Sequence, residues 1–144
     1  MFAATFAAVL TVRPLSNVVL DVASGNAGEG SVSPAQLTFT SANWDAPQLV
    51  TVGGVNDNPP TVDGSQIVVV TVSVNDAASN DAWDPLANQT VAVTNQDDDS
   101  AGFAISKAAV TVSESGASET FTVVLTARPL STVVLSAVSA NTSE

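Results

Sequence analysis

The chain has 144 residues, with three Lys or Arg against 14 Asp or Glu, a net charge of −11, and neither Cys nor His. That charge repels nucleic acid and anionic membranes. The missing thiols and imidazoles remove the usual ligands of zinc, copper and haem, Cys nucleophiles and every His-dependent triad or general base, so any bound metal must be held by oxygen, for which calcium is the best match.

Short β-branched runs bounded by Gly, Pro, Asn and Asp predict strands at 5–12, 17–23, 36–40, 48–52, 66–74 and 89–94, then at 102–106, 109–113, 120–126 and 132–138. No apolar run is long enough to cross a bilayer as a helix, and no segment carries helical periodicity beyond a turn. The opening MFAATFAAVL has no Lys or Arg before its apolar stretch, so it is taken as a strand rather than a secretory signal. Dense, evenly spaced strands of this kind predict an all-β sandwich. Alternation within the strands assigns Phe6, Leu10, Val18, Leu20, Leu37, Phe39, Val50, Val52, Val68, Val70, Val91 and Val93 to its core.

The end of the chain repeats its beginning. Residues 5–29 (TFAAVLTVRPLSNVVLDVASGNAGE) return at 120–144 (TFTVVLTARPLSTVVLSAVSANTSE), 115 positions later, with 15 of 25 residues identical and no gap. A period of one domain length indicates tandem domains. Residues 1–100 are expected to form one repeat lacking its leading strand, and 101–144 the first strands of the next. The segment 120–144 is expected to be disordered, packed on the first repeat or exchanged with a neighbour, because its strands lack partners. The strand at 102–113, split at Lys107-Ala108, either folds back onto the first repeat or is donated to an adjacent molecule.

Five phrases in order, Gly30-Ser31-Val32-Ser33-Pro34-Ala35-Gln36-Leu37-Thr38-Phe39, Asn43-Trp44-Asp45-Ala46-Pro47-Gln48, Asn56-Asp57 with Asp63-Gly64, Asp97-Asp98-Asp99, and Val112-Ser113-Glu114, resemble the Calx-beta repeat. The resemblance implies an immunoglobulin-like antiparallel β-sandwich of Calx-beta type with calcium in loops at one end. By position, Asp57 and Asp63 match its acidic turn, Asp97, Asp98 and Asp99 its closing acidic run, and Glu114 its first-strand glutamate, which here belongs to the second repeat. Asn56 and Asn58 stand where a fuller carboxylate set is common.

These matches make the expected function non-catalytic: a calcium-binding structural or adhesive repeat of a large secreted or cell-surface bacterial protein, stiffened by calcium at its junctions. Its partners would be neighbouring repeats or a strand-swapped homodimer, with no nucleic acid and no membrane insertion. The alternatives are an accessory module of a secreted enzyme or receptor and a cadherin-like adhesion domain, the latter suggested by Asn56-Asp57-Asn58-Pro59-Pro60. Asp76, Asp81 and Asp84 form a second acidic loop, taken as solvated; Trp44 and Trp83 are taken to seal the sandwich edge, and Lys107 as an edge charge.

Overall fold

The computed structural model describes residues 3–142. Its strands are β1 (Ala3–Ala8), β2 (Val18–Ser24), β3 (Gly30–Ser33), β4 (Gln36–Phe39), β5 (Gln48–Gly54), β6 (Gln66–Val74), β7 (Gln89–Asn95), β8 (Phe103–Ile105) and β9 (Val123–Leu125), and its one helical element among the described residues is a 3-10 turn at Asp76–Ala78. The chain divides into two compact units, residues up to 56 with 64–97, and residues 57–63 with 98 onward.

The first unit is an all-β, immunoglobulin-like antiparallel sandwich. One sheet has the order β1-β5-β3 and the other β4-β2-β6-β7, every pairing antiparallel. β1, β2, β5, β6 and β7 take the immunoglobulin B, C, E, F and G positions. β3 and β4, separated by Pro34 and Ala35, form the far edges of the two sheets.

The core follows from alternation. In β6, Val68, Val70 and Val72 are buried while Ile67 and Val69 face out, as a strand with one face on a second sheet requires. Val50 and Val52 of β5 meet them from the other sheet, with Val18, Val22, Leu37, Phe39 and Leu10 completing the buried set. All twelve predicted core residues join this cluster, Phe6, Leu20, Val91 and Val93 from its half-buried margin; Val22 and Val72 extend it. Trp44 and Trp83 also pack on that margin. At Gly25 an added Cβ would lie 2.8 Å from the Val69 carbonyl oxygen, which accepts the Gly25 N–H at 2.9 Å, so only glycine lets the chain leave β2 this close to β6.

Several strand assignments need correction. The segment 5–12 is extended only at Ala3–Ala8, because the Leu10 N–H leaves the ladder for the Trp44 carbonyl and the chain bends at residues 11–12. β3 was not foreseen: Gly30–Ser33 holds a single large apolar residue, Val32, and pairs with β5 from an edge. The segment 109–113 is not a strand; there the Thr111 N–H donates to the Glu119 carboxylate, which also accepts from Lys107 Nζ, and among the described residues no neighbouring strand offers it a ladder. The segment 132–138 is not a strand either. Its counterpart β2 is held between β4 and β6, and among the described residues 132–138 has no such neighbours. Of the repeated segment, residues 143 and 144 lie outside the described residues.

The second unit is thin by comparison. β8 and β9 form a two-stranded antiparallel sheet, and Phe103, Ile105, Phe121, Val123 and Val124 all stand exposed on or beside it.

Candidate cation-binding loops

In the first unit, β7 ends beside the exit of β5. The side-chain amide of Asn95 donates to the Val55 carbonyl at 2.9 Å and to Glu29 Oε2 at 3.0 Å, and the Val55 N–H donates to the Glu29 carbonyl at 3.0 Å. One Asn therefore fastens the last strand to two connections. Two residues later, Asp97 Oδ2 accepts the Gly64 N–H at 2.8 Å. Gly64 has φ +77, a left-handed conformation that glycine adopts without strain, and the acidic partner fixes the amide so presented.

In the second unit, Asp99 Oδ2 accepts the Thr61 N–H at 2.8 Å, and the Thr61 hydroxyl donates to the Pro59 carbonyl at 2.9 Å. Asp57, Asp63 and Asp99 are half-buried and Asp98 is exposed. Glu114 is exposed on a tight turn closed by the Gly116 N–H donating to the Ser113 carbonyl at 3.0 Å.

These positions test the fit of a calcium ion. The donor chemistry suits it, since hard oxygens on Asp, Asn and backbone carbonyls in loops are its preferred ligands. The convergence does not yet exist. Among the described residues no three acidic side chains gather into a group able to hold a metal, and Asp97 and Asp99 each turn one carboxylate oxygen onto a backbone amide. The sequence assigned Asp57, Asp63 and the Asp97–Asp99 run to a shared task; the structure pairs the run with the 61–64 loop through amide hydrogen bonds and leaves Glu114 on a separate turn. Sequence reasoning missed Glu29 and Asn95. Glu29 sits in a glycine-rich connection without other acidic residues, and only the register of β7 reveals that Asn95 reaches it.

The other acidic loop is built differently. Asp76 lies in the 3-10 turn, and the Asn80 N–H donates to the Asn17 carbonyl at 2.9 Å, tying the loop to the start of β2. Asp84 Oδ1 is sealed from solvent without a hydrogen-bond partner. Desolvation of its carboxyl, a hydrogen bond shared with Asp76, and the charges of Asp76 and Asp81 together hold Asp84 above the usual carboxylate range. In the second unit the opposite holds for Glu119: the hydrogen bond from Lys107, aided by the Thr111 amide, lowers its carboxyl.

No protein-family model matches this chain, and no curated protein matches it. Among solved structures, SSP-19, an MSP-domain protein like family member in Caenorhabditis elegans, is similar at 15% identity with a TM-score of 0.41, covering 66% of this chain and 84% of that one. A likeness of that size carries no argument about function, and the fold stands on the strand pairings above.

Proposed function

We propose that the chain is a non-catalytic structural repeat of the Calx-beta kind, from a large secreted or cell-surface protein, whose acidic junction takes up calcium and stiffens the array. The observation that supports this reading is the placement of the Asp97–Asp99 run between one copy of the repeat and the next, with Asp97 and Asp99 holding the loop that carries Asp63. Three adjacent carboxylates repel one another, and a divalent cation relieves that repulsion while bracing the chain that joins two domains. The ligands named for the ion are Asp57, Asp63, Asp98 and Asp99, completed by loop carbonyls. Because these must be gathered from amide-bonded positions, affinity falls in the ~10⁻⁴ to 10⁻³ M range of extracellular modules.

The same two amide bonds favour a second reading, in which the carboxylates brace the loop without any metal. Titration calorimetry with calcium separates the two: millimolar binding that magnesium does not reproduce supports the calcium junction, and the absence of heat at millimolar calcium leaves only the bracing role.

A further inference from the structure

We propose that the side chains of Asn43 and Gln48 close the outer edge of β4 against a second copy of this chain, holding the backbone groups through which β4 would otherwise pair with its own counterpart. Among the described residues β4 is paired on one side only, with β2. It lies between β3 and β5 in the chain, and both of its flanking connections are in the first unit. The Val22 N–H donates to the Ala35 carbonyl at 2.8 Å, which places these two residues at a hydrogen-bonded step of the antiparallel ladder. Leu20 with Leu37 and Val18 with Phe39 follow at two-residue intervals, so the backbone groups of Leu37 and Phe39 face β2 and those of Thr38 face outward.

Side chains of the following turn already hold that outward line. The Thr38 carbonyl accepts Nε2 of Gln48 at 2.7 Å and Nδ2 of Asn43 at 3.4 Å, and Oδ1 of Asn43 accepts the Thr40 N–H at 2.5 Å. The Thr38 carbonyl and the Thr40 N–H flank Phe39 on the outer side, where an added strand would make its own bonds. One carboxamide spans the pair, donating to the first and accepting from the second, as the peptide groups of a neighbouring strand would. Its position is set by the turn around it. The Thr40 hydroxyl donates to the same Asn43 oxygen at 2.9 Å, and the Asn43 N–H donates to the Thr40 carbonyl at 3.3 Å. On either side of Asn43, Arg13 Nε donates to the Ser41 carbonyl at 3.0 Å and the Leu10 N–H to the Trp44 carbonyl at 3.1 Å.

β4 carries none of the usual safeguards of an exposed edge. Charged side chains, proline and bulges discourage pairing there, yet Gln36, Leu37, Thr38 and Phe39 include neither a charge nor a proline. Leu37 and Phe39 are buried in the core, so the strand is firmly seated and its edge is presented in extended form. The partner that fits this edge is the same strand of a second copy. Two β4 strands set antiparallel about Thr38 bring the N–H and carbonyl of each Thr38 opposite those of the other, a self-complementary contact of the kind a two-fold dimer uses. Pairing of that kind would join two four-stranded sheets into one continuous sheet. With Asn43 and Gln48 in place, the line of bonds it needs is occupied from within the chain.

The test compares the whole wild-type chain with the double variant Asn43→Ala/Gln48→Ala, in enough salt to screen the net charge of −11. Sedimentation reads the mass, and hydrogen exchange reads which segment becomes covered. The double variant should associate at concentrations several-fold below any at which the wild type does, with exchange slowed several-fold across residues 36–40. Asn43→Ala also loosens the turn after β4, so Gln48→Ala alone, which leaves every Asn43 bond in place, is run beside it and should give an intermediate shift. Adding Thr38→Pro to the double variant removes an outward N–H and none of the bonds to β2, and should abolish the association with circular dichroism unchanged. The proposal is overturned by a double variant that associates no more than the wild type, or by association that leaves exchange at 36–40 unchanged or survives Thr38→Pro. It is equally overturned by a wild type that already pairs through 36–40, or by a Gln48→Ala variant indistinguishable from wild type when the double variant loses its fold.

Discussion

Replacing Asp97, Asp98 and Asp99 with Asn tests the acidic junction in both of its proposed roles. Without calcium, the Gly64 and Thr61 amides lose charged acceptors at 2.8 Å but keep neutral ones, since the Asn side-chain oxygen still accepts. A hydrogen bond to a charged group contributes roughly 1.5–3 kcal/mol and a neutral one roughly 0.5–1.5, so the replacements at Asp97 and Asp99 cost about 1 kcal/mol apiece. Relief of repulsion along the run returns a few tenths of that at exposed positions. The calcium-free variant should therefore melt lower, by about 4–8 °C for each kcal/mol in a domain of this size. With calcium at about 10 mM and a dissociation constant of ~10⁻⁴ to 10⁻³ M, the wild type gains about 1.4–2.7 kcal/mol by mass action, and the variant should gain none. Thermal melts followed by circular dichroism, without added metal, with calcium and with magnesium, read all of these quantities. A variant that keeps the full calcium shift refutes the site. A calcium-free variant as stable as the wild type refutes the bracing contribution of the two amide bonds.

Two further substitutions probe the sandwich itself. Gly25→Ala forces a methyl to within 2.8 Å of the Val69 carbonyl oxygen and should destabilise the first unit by about 1–3 kcal/mol; a urea midpoint unchanged from wild type would sink the packing argument. Asp84→Asn addresses pH dependence. Because Asp84 is held above the usual carboxylate range, the folded state binds its proton more readily than the unfolded chain, so its stabilising effect is complete below the unfolded carboxylate value and is lost as pH rises through the raised folded value. Melting temperatures measured from pH 7 down to 4 should show a stabilising contribution on acidification that Asp84→Asn removes, along with a higher melting temperature for the variant at pH 7. Identical pH profiles for the two proteins would rule out this role for Asp84.

Strand identity and core were legible because period-two alternation writes them directly into β2, β5 and β6, where Val18, Val50, Val68 and Val70 recur at every second position. β3 escaped because an edge strand with one flank in solvent needs only one inward residue, and Val32 alone makes no pattern. The opposite error, strands at 109–113 and 132–138, has the converse cause. Alternation states which face a segment buries if it has neighbours, and it is silent on whether they are present. Without a covering sheet, Val133, Val134 and Leu135 stand exposed, and the backbone has no ladder to join. The acidic junction was legible as composition but not as geometry, since nothing in Asp97-Asp98-Asp99 shows that the first and third carboxylates each hold a loop amide while the second is left to solvent.

The same contrast between pattern and partner explains why one repeat reports on the other. β9 (Val123–Leu125) corresponds, 115 positions on, to residues 8–10, the end of β1 and the two residues after it, yet Ala8 and Leu10 pack on the first unit's core while Val123 and Val124 stand exposed. The same apolar pattern therefore makes a core in one unit and an exposed surface in the other, because burial needs a covering sheet as well as alternation.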